Sequence, residues 1–546
     1  MLVSSSAARF LKPYPVVSAL LFVFVILRSG IIGIDFPYWD DYNSVLEFLL
    51  KFRNSDIYNK FQLLFSQHNE HRLLWNRILV LTDAYIFGSV HFGRLIFYGN
   101  LGWIFTWFLL RPELKRASVP ILMFCAVLFL SLSFYETVFW ATASMQNFWV
   151  IFWALAGFKT IRSNSSGVQL LGCAAIFLST FTSVSGVLAV PVACLLLVFR
   201  NSFTFQNILI CTILLCIPVL YFLEYNSPLH HLSLYENLFS DPLRSTAYFF
   251  RYLGSPLLIV CGYRDWFLIP AGVLVFISCL YALVKLRLSN LFLFSLILYT
   301  LLSVAALTAG RALMDAPGAI VSRYLVFPFF IWIVLLLSYR EIFSKHRITF
   351  LHILGISFAI CWLSIDYYRF WDAVSRDRDS RLNGQACLCT CQHPFALNFP
   401  HLPEAQRILN EASRVGIFLP CATVFSQCKA VEDVKNPEFL RWKIEKSELM
   451  GPNVRIYGWA FYPGADSRNN HVDLVIQTAQ RYHTQMTVKR VEPLLGLLSG
   501  NEKNSYAGFE TRIPLNLYTQ IRKSYLQIQW CGGFMLTREI DLSKLN

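Results

Sequence analysis

Charge is scarce in this chain. Only 15% of its 546 residues are Asp, Glu, Lys or Arg, while 55% are hydrophobic. Soluble domains carry about 25% charged residues. That shortage, with a mean hydropathy of +0.49, excludes a soluble globular protein of this length. Zinc-type cysteine spacing is missing too. Cys387-Leu388-Cys389-Thr390-Cys391 puts a single residue between cysteines, where a zinc knuckle needs about two to four. Cys421, Cys428 and Cys531 lie in the same polar C-terminal part, and outside the membrane such cysteines favour disulfides over metal. No small-x-small cleavage site follows the apolar run Val16 to Leu27, which Arg9 and Lys12 precede. It therefore reads as an uncleaved first span, with Arg28 reaching for headgroups or another helix. Mid-membrane charges and internal repeats, the marks of a transporter, are also lacking.

What is present is apolar and aromatic: 48 phenylalanines, 25 tyrosines and 14 tryptophans, a load typical of spans with interfacial belts. A span needs about 20 mostly apolar residues. Segments near 13–34, 90–110, 119–135, 145–160, 168–183, 185–199, 206–223, 267–286, 290–310, 324–339 and 348–366 qualify, giving about eleven crossings. Residues 246–262 carry Arg251, Gly254 and Pro256 and read as re-entrant or interfacial. Residues 73–89 carry Asn76, Arg77 and Asp83 and read as lying along the surface.

The net charge of +14 comes mainly from short loops between these runs, so it reports orientation and not nucleic-acid binding. With the N-terminus inside, Arg111 to Arg116, Lys159 to Arg162, Arg200, Lys285 to Arg287 and Arg340 to Arg347 all fall on the cytoplasmic side. The first loop, 35–89, then faces outward. So do the turn Glu136 to Gln146, the Thr182-Ser183 break, the loop 225–245 and the loop 311–323.

The expected organisation is a mainly α polytopic transmembrane bundle over 1–366, a polar linker region with short helices over 367–450, and an extracytoplasmic β-sandwich over 451–546. The last rests on alternation in Val454-Arg455-Ile456, His471 to Ile476 and Tyr525 to Trp530, with Pro463-Gly464-Ala465-Asp466 as a turn signal.

The chemistry-bearing residues gather outside. Asp40-Asp41 follows the first span directly and is flanked by Tyr38 and Trp39. Such a pair can supply a general base or bind a divalent cation, or it can simply cap a helix. His68-Asn69-Glu70-His71-Arg72 lacks the His-Glu-x-x-His spacing of a zinc protease. If helical, it puts His68, His71 and Arg72 on one face, suited to an anionic oxygen. Arg311 closes one span and Arg323-Tyr324 opens the next. Both arginines can snorkel to headgroups or grip a lipid-linked phosphate. Glu136 and Gln146 suit helix-end or interhelical hydrogen bonds, and the Ser179 to Gly186 break suits either a tight turn or a cavity lining.

Taken together, Trp39-Asp40-Asp41, His68 to Arg72, Ser183-Val184-Ser185-Gly186 and Ser322-Arg323-Tyr324 resemble a group of bacterial membrane proteins of the GT-C glycosyltransferase superfamily. The resemblance covers roughly 10–370. It implies an inner-membrane enzyme that takes sugar from a polyprenyl-phosphate donor to a glycan, lipid or protein acceptor. Asp40 or Asp41 would be the base or the metal-binding carboxylate, and Arg311 and Arg323 would bind the lipid phosphate. Two other classes stay open: a non-catalytic glycan transporter or assembly factor, and a membrane acyltransferase with His68 or His71 as base.

Overall fold

A computed structural model describes residues 13–199, 204–227, 234–314, 320–342, 349–391, 399–419, 441–450, 453–461, 471–477, 482–486, 488–490, 507–521, 523–530, 533–536, 540 and 542. Arg9, Lys12, Cys421, Cys428, Cys531 and the turn 463–466 lie outside them, as do the side chains of Cys387, Cys389 and Cys391. The described chain forms two compact units. One is Met1–Gly33 with Asn43–Ser375, and the other is Ile34–Tyr42 with Arg376–Asn546.

The first unit is helical, and each of the apolar segments picked as a crossing is a helix. They are Pro13–Ile32, Phe92–Leu109, Val119–Leu130, Ala141–Thr160, Ser166–Thr180, Ala189–Phe199, Phe205–Phe222, Asp265–Ser289, Leu291–Arg311, Val326–Ile342 and Thr349–Cys391. A helix is the form in which a continuous apolar run satisfies its own backbone without water. Among the described residues, five helices are long and apolar enough to cross a membrane: Pro13–Gly30, Phe205–Phe222, Asp265–Arg287, Leu291–Arg311 and Ser322–Arg340. Val119–Leu130, Ser166–Thr180 and Val184–Phe199 are apolar but shorter. Their boundaries follow local chemistry. Thr204 accepts the amide of Asn207, and Asn290 accepts that of Leu293, as N-cap side chains do. The segment around 246–262 changes its winding at Pro256: helix Pro242–Gly254, a 3-10 turn Ser255–Leu257, then Leu258–Cys261.

The core of this unit is aromatic. Trp103 stacks on Phe129 at 4.1 Å and on Phe148 at 5.1 Å between centroids. Helices Phe92–Leu109 and Ala141–Thr160 approach closely because Gly102 faces the Trp149 ring, where a Cβ would stand 2.8 Å from it. Arg28 turns inward to its second expected destination, another helix segment. It is 4% exposed, donates from Nη1 to Leu130 O at 2.8 Å, and lies near the Phe24 and Phe139 rings. Asp366 is buried beside the end of helix Val119–Leu130, accepting from Ser131 Oγ, Leu132 N and Ser133 Oγ at 3.0, 2.7 and 2.9 Å.

The second unit differs from expectation in extent. The helix Thr349–Cys391 runs well past residue 366, through sequence read as a polar linker. Strands begin at Arg441, ahead of the start read from alternation. Helix Leu402–Arg414 buries Ala405, Ile408, Leu409 and Ala412 along one face. Two four-stranded antiparallel sheets follow. One orders Arg441–Met450, Asn453–Phe461, Gly508–Pro514 and Val488–Arg490. The other orders Gly533–Leu536, Lys523–Trp530, His471–Gln477 and Tyr482–Met486. Alternate residues of both, among them Ile456, Phe509, Ile513, Leu474, Ile476 and Leu526, enter one buried cluster.

Candidate functional site

The polar run at 67–72 is a hairpin, not a helix. Strands Gln67–His68 and His71–Arg72 pair antiparallel, with His68 opposite His71 and Gln67 opposite Arg72. Asn69 makes the reversal at φ +48°, a left-handed conformation that asparagine tolerates better than most residues. The shared helical face expected for His68, His71 and Arg72 is therefore absent. Long-range contacts override the local preference. Arg72 is 8% exposed and donates to Tyr221 O at 2.7 Å, to Phe65 O at 2.6 Å and to Leu223 O. Its guanidinium fork is committed to backbone carbonyls, and so it holds the hairpin. Arg77 helps by donating to Leu64 O and Ser66 O at 3.0 and 2.7 Å. Tyr221 Oη and Tyr225 Oη both donate to Glu70 O, at 3.0 and 3.4 Å. Burial and then the Glu70 carboxylate push the Tyr225 phenol up, which keeps it a proton donor.

Two side chains from the turn side of this hairpin reach across the unit. Glu70 Oε1 accepts from Arg311 Nη2 at 2.8 Å. The same oxygen lies 3.5 Å from His71 Nε2. On the other side of the ring, His71 Nδ1 accepts the backbone N–H of Val184 at 3.2 Å. A neutral imidazole that accepts at Nδ1 carries its proton on Nε2, so the N–H of His71 faces Glu70. Val184 starts a short 3-10 helix, Val184–Leu188, immediately after the Thr182-Ser183 break. That break is thus a tight turn that presents a backbone donor.

The arginine at the end of helix Leu291–Arg311 meets the turn Ser322–Tyr324 through an aromatic ring. Arg311 Cζ lies 5.7 Å from the Tyr324 centroid and Arg323 Cζ lies 4.9 Å from it. Arg323 is also 5.7 Å from the Trp140 ring. Cations over π faces are favourable by about 0.5 to 2 kcal/mol, and one ring here holds two guanidinium groups in a common neighbourhood. Glu136 fixes the turn. Its Oε2 accepts the Arg323 backbone N–H at 3.0 Å, and its Oε1 is 4.0 Å from Arg323 Nη1. Thr137 Oγ1 and Asn147 Nδ2 donate to Arg323 O at 2.7 and 3.1 Å. Gln146 Nε2 donates to Ser183 Oγ at 3.1 Å. Glu136 and Gln146 therefore do make the interhelical bonds their positions suggested. Asn147 was missed by sequence reasoning, and an isolated asparagine one place after Gln146 gave no signal of its own.

Glu70, His71, Arg311, Arg323 and Tyr324 thus come together around Val184, Glu136 and Trp140 in the first unit. The cluster holds two guanidinium and two carboxylate groups, each mostly withdrawn from water, with side-chain exposures of 17 to 31%. An anion entering it meets two forks already near acidic partners. His68 sits on the partner strand.

Asp40 and Asp41 belong to the second unit. Asp41 is 1% exposed, and its Oδ2 accepts the backbone N–H of Tyr38 at 3.1 Å. The Tyr38 ring lies under Arg381, 4.2 Å from Cζ to centroid, and Tyr42 packs on Phe399 at 5.1 Å. Burial, then Asp41, push the Tyr42 phenol well above the usual tyrosine range. Asp40 is half-buried. For a divalent cation the fit is poor. Hard cations take about six or more oxygens, one Asp41 oxygen already accepts a backbone N–H, and the described residues contain no group of three His, Cys, Asp or Glu side chains placed to hold a metal.

No protein-family model matches the chain, and no curated protein matches it either. Among solved structures, the crystal structure of ArnT from Cupriavidus metallidurans in the apo state is similar at a TM-score of 0.39 and 13% identity, over 77% of this chain and 81% of that one.

Proposed function

We propose that this chain is an integral membrane glycosyltransferase of the GT-C kind, transferring a sugar from a polyprenyl-phosphate donor to a glycan, lipid or protein acceptor at the outer face of a bacterial inner membrane. The observation that carries the reading is the pair Arg311 and Arg323 flanking one Tyr324 ring at 5.7 and 4.9 Å. Both stand at ends of apolar helical segments long enough to span. Guanidinium forks match phosphate oxygens in two directions and stay charged at any working pH. Placed where a span ends, they meet a lipid phosphate at headgroup depth and stabilise the charge it gains as the sugar leaves.

In this reading Asp40 is the general base that takes the proton of the acceptor hydroxyl. Asp41 orders the Tyr38–Asp41 turn behind it. Tyr324 keeps the arginines apart and presents them together. Arg72 holds the 67–72 hairpin and leaves the substrate to Glu70, His71, Arg311 and Arg323. A single displacement of this kind inverts the anomeric centre. The C-terminal sheets act as an extracytoplasmic β-sandwich.

Mass spectrometry of surface glycans in a deletion strain tests the proposal. Loss of one sugar, restored by the wild-type chain and not by the Asp40→Asn/Asp41→Asn double variant at equal expression, supports it. Full restoration by the double variant overturns it, and loss of an acetyl group in place of a sugar points to acyl transfer.

A further inference from the structure

We propose that Glu70 is an exchangeable counterion of Arg311, which the phosphate of the donor displaces and which His71 then receives. The inference rests on the reading of Arg311 as a phosphate-binding residue. Arg311 and Glu70 have side-chain exposures of only 19 and 20%, and a guanidinium so far out of water is costly to leave without an anion. Glu70 supplies that anion at 2.8 Å. Its backbone is immobilised by Tyr221 Oη on its carbonyl and by the clamped strand after it, so only the side chain has freedom to exchange.

The receiving group is already in position. His71 Nδ1 is committed to Val184 N–H, which directs Nε2–H toward the Glu70 oxygen 3.5 Å away. A phosphate that takes the Arg311 fork leaves Glu70 with a donor within reach, and the freed carboxylate is not stranded. The second acid–arginine pair is built differently. Glu136 is bonded to the Arg323 backbone amide at 3.0 Å, whereas its carboxylate is 4.0 Å from the guanidinium. Glu136 therefore fixes the turn through the Arg323 backbone amide. A ligand must outcompete a carboxylate at Arg311, which favours a phosphate group over a fatty-acid or other carboxylate headgroup.

The test uses the full-length protein in detergent with inorganic phosphate and dodecyl phosphate as probes. Glu70→Gln is expected to bind dodecyl phosphate about tenfold more tightly than wild type, equivalent to about 1.4 kcal/mol. Without ligand its unfolding midpoint lies below wild type, and saturating dodecyl phosphate restores it. Glu70→Ala shows the same signs, and Arg311→Gln abolishes the binding. Equal or weaker binding by both Glu70 variants, with wild type still binding, overturns the exchange and leaves the phosphate site standing. Absence of binding by wild type and by Glu70→Gln overturns both readings. Inorganic phosphate binding as well as dodecyl phosphate keeps the exchange and overturns the lipid as its ligand.

Discussion

The imidazole Nδ1 of His71 accepts the backbone N–H of Val184 at 3.2 Å. One bond thereby ties the 67–72 hairpin to the chain reversal between two apolar helices and fixes which nitrogen of His71 carries its proton. Replacing His71 with Ala leaves a partly buried amide without its acceptor, at a cost of about 1 to 3 kcal/mol. His71→Asn, whose side-chain oxygen can approach the position of Nδ1, is expected to recover part of that loss, while His71→Gln recovers less. Thermal unfolding of the three variants in detergent ranks them, and equal midpoints for Ala and Asn would refute the assignment.

Arg72 is expected to behave as a structural residue. Arg72→Gln removes donors to Tyr221 O, Phe65 O and Leu223 O and costs about 2 to 3 kcal/mol, since bonds from a charged donor are the strong ones. Arg72→Lys does not rescue, because one ammonium cannot reproduce the planar fork. Hydrogen exchange should show new exposure at 65–72 and 221–225 in both variants. A native-like pattern in Arg72→Lys would argue against the clamp.

The two aspartates should separate. Asp40→Asn is expected to abolish sugar transfer while leaving the unfolding midpoint where it was. Asp41→Asn replaces a buried acceptor of the Tyr38 amide and lowers the midpoint, by about 1 to 2 kcal/mol of stability. Assaying both variants for transfer and for melting decides between these roles, and a reversal of the two patterns would make Asp41 the base.

Arg311→Lys and Arg323→Lys keep the charge and lose the fork. Each is expected to weaken donor use by about tenfold or more, since bidentate recognition of phosphate is worth more than a point charge. The effect should fall on the KM for the donor, with the KM for the acceptor unchanged. A change confined to the acceptor would move the phosphate site elsewhere.

Glu113, in the short helix Arg111–Leu114 between two apolar helices, has its carboxyl pushed up by burial. Its folded-state pKa lies above the unfolded value, so the folded state binds the proton more readily. Stability is then lost as pH rises from the unfolded value of 4.5 through the raised one. Glu113→Gln removes that penalty. The variant should melt higher than wild type at pH 8 and match it below pH of about 4; a constant difference across that range would contradict the burial effect.

Much of the fold was legible because long apolar runs leave the backbone little choice. Each run from Pro13 to the helix that starts at Thr349 is helical where hydropathy placed it. Polar sequence after residue 366 does not forbid a helix, and Thr349–Cys391 simply continues through it. Of the candidate site, the residue types were legible and their assembly was not. Arg311 and Tyr324 stand at span ends in the sequence, and they do lie side by side. Their acidic partners could not be read from spacing, since Glu70 meets Arg311, and Glu136 meets Arg323, only through the folded chain.

By itself the sequence determined that this is a chain of apolar helices with a strand-rich end, because hydrophobic length and period-two alternation are local properties. Only the tertiary structure decided that residues 67–72 turn as a hairpin, since Arg72 finds its carbonyls at Tyr221 and Leu223. It also decided that the Asp40-Asp41 segment joins the unit of Arg381 and Phe399, whose contacts with Tyr38 and Tyr42 are made by side chains distant in sequence. Burial and pairing of charge depend on what the whole chain brings near, and no local pattern encodes that.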